Sequence, residues 1–467
     1  MRTKFCRKVF CIPALALGLM LSGPVVSLAA DGIVTLRDTV AISLAYSPNI
    51  KAFQEYRQAA VHDLQRARSG WFPRVDARAG WGVEQISDTF NRGHSTPGVQ
   101  GIDRTRDFYS RSEASLTISQ TIWDGLATLN RVRMGESRLD SAESRLIDNA
   151  EGMALDAVLA HIEVYRQRRI VALAELNVRN HKSILSSQYQ RHKSGASTMA
   201  DVTQTQSRLA RTEASLTESR AALEVAVANY KRLTGRDPGM VAAPEAPTNA
   251  YPSLEAALVA TQAGNLKIKA GQSDIETAFA QYKLDQSSFH PQLSLEAGPT
   301  YSYRAGSSLT DQGGVEIMLR ASWNLFNGGY DYYNVKGDLA RARQSKQELE
   351  DLKDQLTEQT EASWAELNSA REQARHFSSA VDYSTKTRNM YMEQFNVGQR
   401  SLLDLLDSEN ELFSYSIQLV TAQLNVTAAQ YRMLALGGGL MASLSINRQE
   451  LPIEIDVFGP ERPNIRR

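Results

Sequence analysis

The chain has 467 residues, with 52 lysines and arginines against 52 acidic residues, and 42% of it is hydrophobic. Balanced charge leaves no basic face, which sets aside DNA and RNA as partners. A mean hydropathy of −0.35 excludes a bundle of membrane helices but not a β-barrel, whose apolar band hides in short alternating strands.

Residues 1–30 read as a secretory signal peptide. Arg2, Lys4, Arg7 and Lys8 precede an apolar run from Val9 to Leu21, and small residues lead to Ala29-Ala30 before Asp31. Its removal takes away four positive charges and both cysteines, Cys6 and Cys11, leaving a mature chain of net charge −4 without disulfides or thiol chemistry. With no cysteine after the apolar run, a lipid anchor is not expected, and no other run reaches the roughly 18 residues of a membrane helix.

The remainder is written twice. At a spacing of 218, Leu36 pairs with Leu254, Ile50-Lys51 with Ile268-Lys269, Pro73 with Pro291 and Gly80 with Gly298. Beyond that the spacing drops to 203 and pairs Ser119 with Ser322, Gly125 with Gly328, Gly195 with Gly398, Asp201 with Asp404 and Leu216 with Leu419. The difference falls on one loop, expected over Asp88–Ser112 in the first copy and over Arg304–Gly314 in the second. The repeats are residues 31–236 and 253–439, joined by a proline-rich linker over 237–252 and followed by a tail over 440–467.

Each repeat predicts the same order: a short helix (about Thr35–Tyr46, Ser253–Ala263), a longer one (Asn49–Gly70, Asn265–Ser288), two strands, a very long helix (Leu126–Lys193, Tyr330–Asn396), a glycine turn and a last helix (Met199–Leu233, Leu402–Leu436). The strands alternate, as in Val75, Ala77, Ala79, Trp81 and Val83, with Trp81, Trp123, Tyr301, Tyr303, Trp323 and Phe326 placed like an interfacial girdle. The last helices carry apolar heptads, Val202-Leu209-Leu216-Leu223-Tyr230 and Leu405-Leu412-Leu419-Val426-Met433. At 1.5 Å per residue the long helix is a rod of roughly 100 Å, and the two shorter ones end to end reach roughly 85 Å. Four strands cannot close a barrel, and open edges in lipid leave backbone groups unsatisfied, so closure calls for three chains and twelve strands.

"RHKSGASTMADV" at 191–202 and "FNVGQRSLLDLLDSENEL" at 395–412, on this duplicated plan, resemble the TolC family of bacterial outer-membrane channels from Val34 to Gly439. The resemblance implies an α+β membrane protein: a trimeric 12-stranded β-barrel in the outer membrane of a Gram-negative bacterium, continuing into a periplasmic coiled-coil tunnel of antiparallel α-helices. It implies a homotrimer in outer-membrane lipid, with a periplasmic adaptor and an inner-membrane ABC transporter or RND pump as partners, and a passive duct for type I protein secretion or for drug efflux.

By the same resemblance Gly195 and Gly398 form the periplasmic tip turns, and Asp404 and Asp407 line the closed aperture. Arg400 and Phe395 hold the second hairpin shut, with Asp201 as carboxylate partner, while His192 stands where an aromatic is usual. On the residues alone, Asp404 and Asp407 share a helix face and equally suit a helix's first turns. An exported coiled-coil structural or adhesive protein is the alternative of another class, disfavoured by the alternating strands. No catalytic site, cofactor or metal motif is expected: the seven histidines show no ligand spacing, and Gly437-Gly438-Gly439 reads as a helix stop.

Overall fold

The computed structural model describes residues 32–85, 108–303 and 311–446; the signal segment lies outside them. Element order repeats: α1 (Leu36–Tyr46), α2 (Pro48–Arg68), β1 (Arg74–Gln85), β2 (Phe108–Trp123), α3 (Ala127–Lys193) and α4 (Met199–Thr234) are followed by α5 (Leu254–Gly264), α6 (Leu266–Gln286), β3 (Gln292–Tyr303), β4 (Asp311–Ser322), α7 (Tyr330–Asn396) and α8 (Leu402–Leu436). A last short turn of helix, α9, spans Leu440–Ser443. Both long helices have 67 residues.

Helices α2 and α4 both pack on α3, one along each half. Leu64 of α2 meets Val132 and Leu139 on the strand-side half, and Tyr230 and Leu233 of α4 meet Ala160 and Val164 further along. The second repeat does the same, with Ile268 of α6 against Leu349 and Leu356, and Met433 of α8 against Leu367. Each long rod is thus flanked by two shorter helices in line. The main core lies where these ends meet, around Val40, Ile50, Ala154, Val158 and Ile162. There the His161 ring is fully buried, bonded through Nδ1 to the Thr39 hydroxyl at 2.8 Å and through Nε2 to the Ala242 carbonyl at 3.0 Å.

The four strands form one antiparallel sheet in the order β1-β2-β3-β4. Pairing of β2 with β3 makes the two repeats neighbours in one sheet. The register puts Val75 beside Ile118, Ala297 and Ile317 in a row across all four strands. The opposite face carries charge: Arg111 bridges to Glu84 and Glu113, and Arg320 to Glu296. One apolar and one charged face is what a strand needs between lipid and an aqueous lumen. Trp81 and Tyr303 lie level through Ser112, while Trp123 and Trp323 mark the end of the sheet next to the long helices. The ten residues between the two levels span about 33 Å along a strand, or about 25 Å once tilted. Among the described residues no helix is long and apolar enough to cross a membrane.

Two expected boundaries move. Strand β2 begins at Phe108 and β4 at Asp311, so the last residues of the loops expected over Asp88–Ser112 and Arg304–Gly314 are strand, and the remaining residues of those loops lie outside the described ones. Polar residues on the charged face of β2, such as Arg111 and Glu113, imitate a loop composition. The tail expected from residue 440 also starts inside the packed body: Leu440 and Met441 are fully buried, and Met441 N–H donates to the buried Glu151 carboxylate at 3.1 Å. The glycine run stops α8 as expected, with Gly438 at φ +66° and Gly439 N–H bonded to the Leu434 carbonyl at 2.9 Å.

Candidate functional site

Helices α3 and α4 form one hairpin and α7 and α8 the other, and their turns are built alike. Gly195 and Gly398 sit at φ +79° and +78°, a region that favours glycine. Ala196 N–H reaches back to the Arg191 carbonyl, and Gln399 N–H to that of Gln394, both at 2.8 Å. These are Schellman closures 203 residues apart. The next helix is capped at Thr198 or Ser401, whose hydroxyl accepts from Asp201 N–H or Asp404 N–H at 3.2 Å.

The carboxylates of that third helical position diverge. Asp201 folds back, accepting from Thr198 N–H at 3.1 Å, from the Thr198 hydroxyl at 2.8 Å and from Ser197 at 3.2 Å. The Thr198 backbone and hydroxyl bonds hold its carboxyl below the ordinary carboxylate range. Asp404 instead faces Arg400, Nε to Oδ2 at 3.2 Å, and the Arg400 guanidinium lies 4.0 Å from the centre of the Tyr391 ring. The expected Arg400–Asp201 pair is therefore not made within the chain, because each partner is engaged by its own hairpin.

Other groups join the hairpins. Phe395 is buried with Ile184, Leu402, Leu405 and Leu406, and Arg191 of the first hairpin lies 4.8 Å over its ring while donating to its carbonyl at 2.9 Å. Asp407 is held by Arg208 of α4 at 3.1 Å. Two residues further on and round the helix, Glu409 is buried; it accepts from Asn180 of α3 at 3.1 Å and lies 3.5 Å from Arg388 of α7. His192 is tied within its own turn, to the Ser197 carbonyl at 3.1 Å.

Sequence reasoning named Phe395, Asp404 and Asp407 but missed Arg191, Arg208, Arg388, Asn180 and Glu409. Glu409 had a signal: it continues the buried face of Leu402, Leu405 and Leu406 by helical spacing, where a carboxylate needs a partner. Among the described residues no cluster of three or more acidic, histidine or cysteine side chains could hold a metal ion.

The profile of the family described as outer membrane efflux protein matches residues 40–236 and 257–439. The chain belongs to that family. It is 23% identical over 454 residues to the outer membrane efflux protein BepC of Brucella suis, covering 97% of this chain and 94% of that protein. It is 24% identical to the outer membrane protein TolC of Vibrio cholerae, over 80% and 84% of the two chains. With the alkaline protease secretion protein AprF of Pseudomonas aeruginosa it shares 22% identity over 87% and 84%. Among solved structures, the outer-membrane channel OprN superposes with a TM-score of 0.71 at 19% identity, covering 87% of this chain and 90% of that one. Family and fold make this a TolC-like passive outer-membrane channel with a periplasmic helical tunnel, and not an enzyme.

Proposed function

We propose that the chain is the trimeric exit duct of a type I protein secretion system, shut at its periplasmic tip by the α7/α8 hairpin. The observation that carries the duct is the four-stranded sheet. Its faces are unlike, and every residue of its edge strand β4 is exposed in the isolated chain, an arrangement unsatisfied in lipid until neighbouring copies pair it. Three copies supply twelve strands. A periplasmic adaptor and an inner-membrane ABC transporter would supply coupling and energy, since the family is one of passive channels.

Type I secretion is favoured by the absence of a lipidation cysteine after residue 11 and by similarity to a protease secretion protein. Similarity to an efflux protein supports a second reading, an exit for small molecules pushed by an RND pump. In either case Asp404 and Asp407, three residues apart on α8, give the trimer two rings of carboxylates at the aperture, suited to cations. A deletion strain compared with its parent for secreted proteins and antimicrobial susceptibility separates the readings. Loss of one exported protein at unchanged susceptibility supports secretion; hypersensitivity with an intact secretome overturns it in favour of efflux.

A further inference from the structure

We propose that Arg208 determines the charge selectivity of the aperture: it masks Asp407 while the hairpins are together and releases that charge when they part. The inference rests on the aperture reading of Asp404 and Asp407.

It comes from a difference between the two carboxylates. Asp404 pairs with Arg400 four residues earlier, so its compensating charge sits on the same hairpin and travels with it. Asp407 pairs with Arg208, 199 residues away on α4 of the other hairpin. Any movement that separates α8 from α4 leaves Asp404 compensated and Asp407 bare. Opening therefore uncovers one carboxylate per chain and three in a trimer, where two bare rings would give six.

The pair is poorly placed to be the mechanical lock. Both side chains reach solvent, Arg208 at 31% and Asp407 at 56% exposure, and an ion pair so exposed contributes little to holding two helices together. The holding contacts are elsewhere: the apolar cluster around Phe395, the Arg191 bond to the Phe395 carbonyl and the Asn180 bond to buried Glu409. Arg208 can let go without the tip coming apart, and its effect falls on the field at the aperture. A guanidinium 3.1 Å from a carboxylate turns a fixed negative charge into a short dipole, whose pull on a passing cation decays faster with distance.

The test is the reversal potential of the full-length trimer in planar bilayers under a potassium chloride gradient, at low ionic strength where screening is weak. Arg208→Gln should raise the potassium-to-chloride permeability ratio of the resting pore at least twofold, and adding Asp407→Asn should return it to the parent value. Arg208→Met keeps the packing stem and serves if Arg208→Gln does not assemble. Asp407→Asn alone should leave the resting ratio nearly unchanged or shift it toward chloride, because the arginine is then uncompensated. An unaltered ratio in both Arg208 variants, with Asp404→Asn and Asp407→Asn still changing selectivity, overturns the masking role and leaves the aperture reading standing. If none of these four substitutions moves the ratio, the aperture reading itself fails.

Discussion

Asp201 and Asp404 occupy the same place in the two repeats, three residues after the capping hydroxyl of the helix leaving the tip, yet their carboxylates take different partners. Asp201 closes a capping box on Thr198, whereas Asp404 turns to Arg400. The cause lies one residue before each cap: Ser197 stands where the second repeat has Arg400. A serine there adds a third bond to Asp201, while an arginine draws its aspartate away. The duplication thus conserves the turn and lets one side chain differentiate the hairpins.

Arg400 touches both helices of its own hairpin, through Tyr391 on α7 and Asp404 on α8. Arg400→Ala should loosen that tip and raise the resting conductance of the trimer in planar bilayers. An unchanged closed state would remove Arg400 from the closing machinery.

Gly398 has a left-handed backbone, and a Cβ there would meet nothing within 4 Å. Gly398→Ala should therefore cost only backbone strain, about 1–2 kcal/mol, confined to the α7/α8 turn. Amide hydrogen exchange should speed up at the Gln399 N–H and its neighbours while the α3/α4 turn keeps its parent rate; equal rates in both turns would contradict the assignment.

His161 gives the helical body a pH dependence with a definite sign. Burial holds its imidazole below the ordinary value, so the unfolded chain takes up a proton near pH 6.5 that the folded chain refuses. This contribution to stability is complete above about pH 6.5 and is lost as pH falls below it, at no more than about 1.4 kcal/mol per pH unit. The helical melting temperature should drop between pH 7 and 5, and His161→Gln should flatten that slope. A variant as steep as the parent would place the titration elsewhere.

Gly298 of β3 lies against the β2 backbone at Leu116. A Cβ at that position would overlap the Leu116 carbonyl oxygen, whereas one at Gly80, its counterpart in the first repeat, would meet nothing within 4 Å. Pro299, next along and without an N–H, already interrupts the ladder. Gly298→Ala should abolish the heat-modifiable trimer on an unboiled gel, and Gly80→Ala should keep it. Equal behaviour of the two variants would show that the close approach is unimportant to barrel assembly.

The helices were legible in the sequence almost to the residue. Two copies at one offset cross-check each other, and residues such as Thr198, Gly195 and Gly398 mark ends by local chemistry. The strand starts were less legible, because Arg111 and Glu113 obey the two-residue period on a face that is polar by function. At the tip, Phe395, Asp404 and Asp407 were singled out only by the resemblance of one hairpin's own motif to the family. Arg191, Arg208 and Asn180 could not be, since their roles depend on the axial register of α3 and α4 against α7 and α8. That register is set by packing around Phe395 and Leu405 and leaves no periodic trace in either repeat.

The most direct test of the central claim, that this chain supplies four strands to a shared barrel, is the size and conductance of the detergent-purified protein. The account predicts an assembly of three chains, dissociated by boiling, that inserts into planar bilayers as a single small-conductance pore. A folded monomer, or a trimer that never conducts, would contradict it.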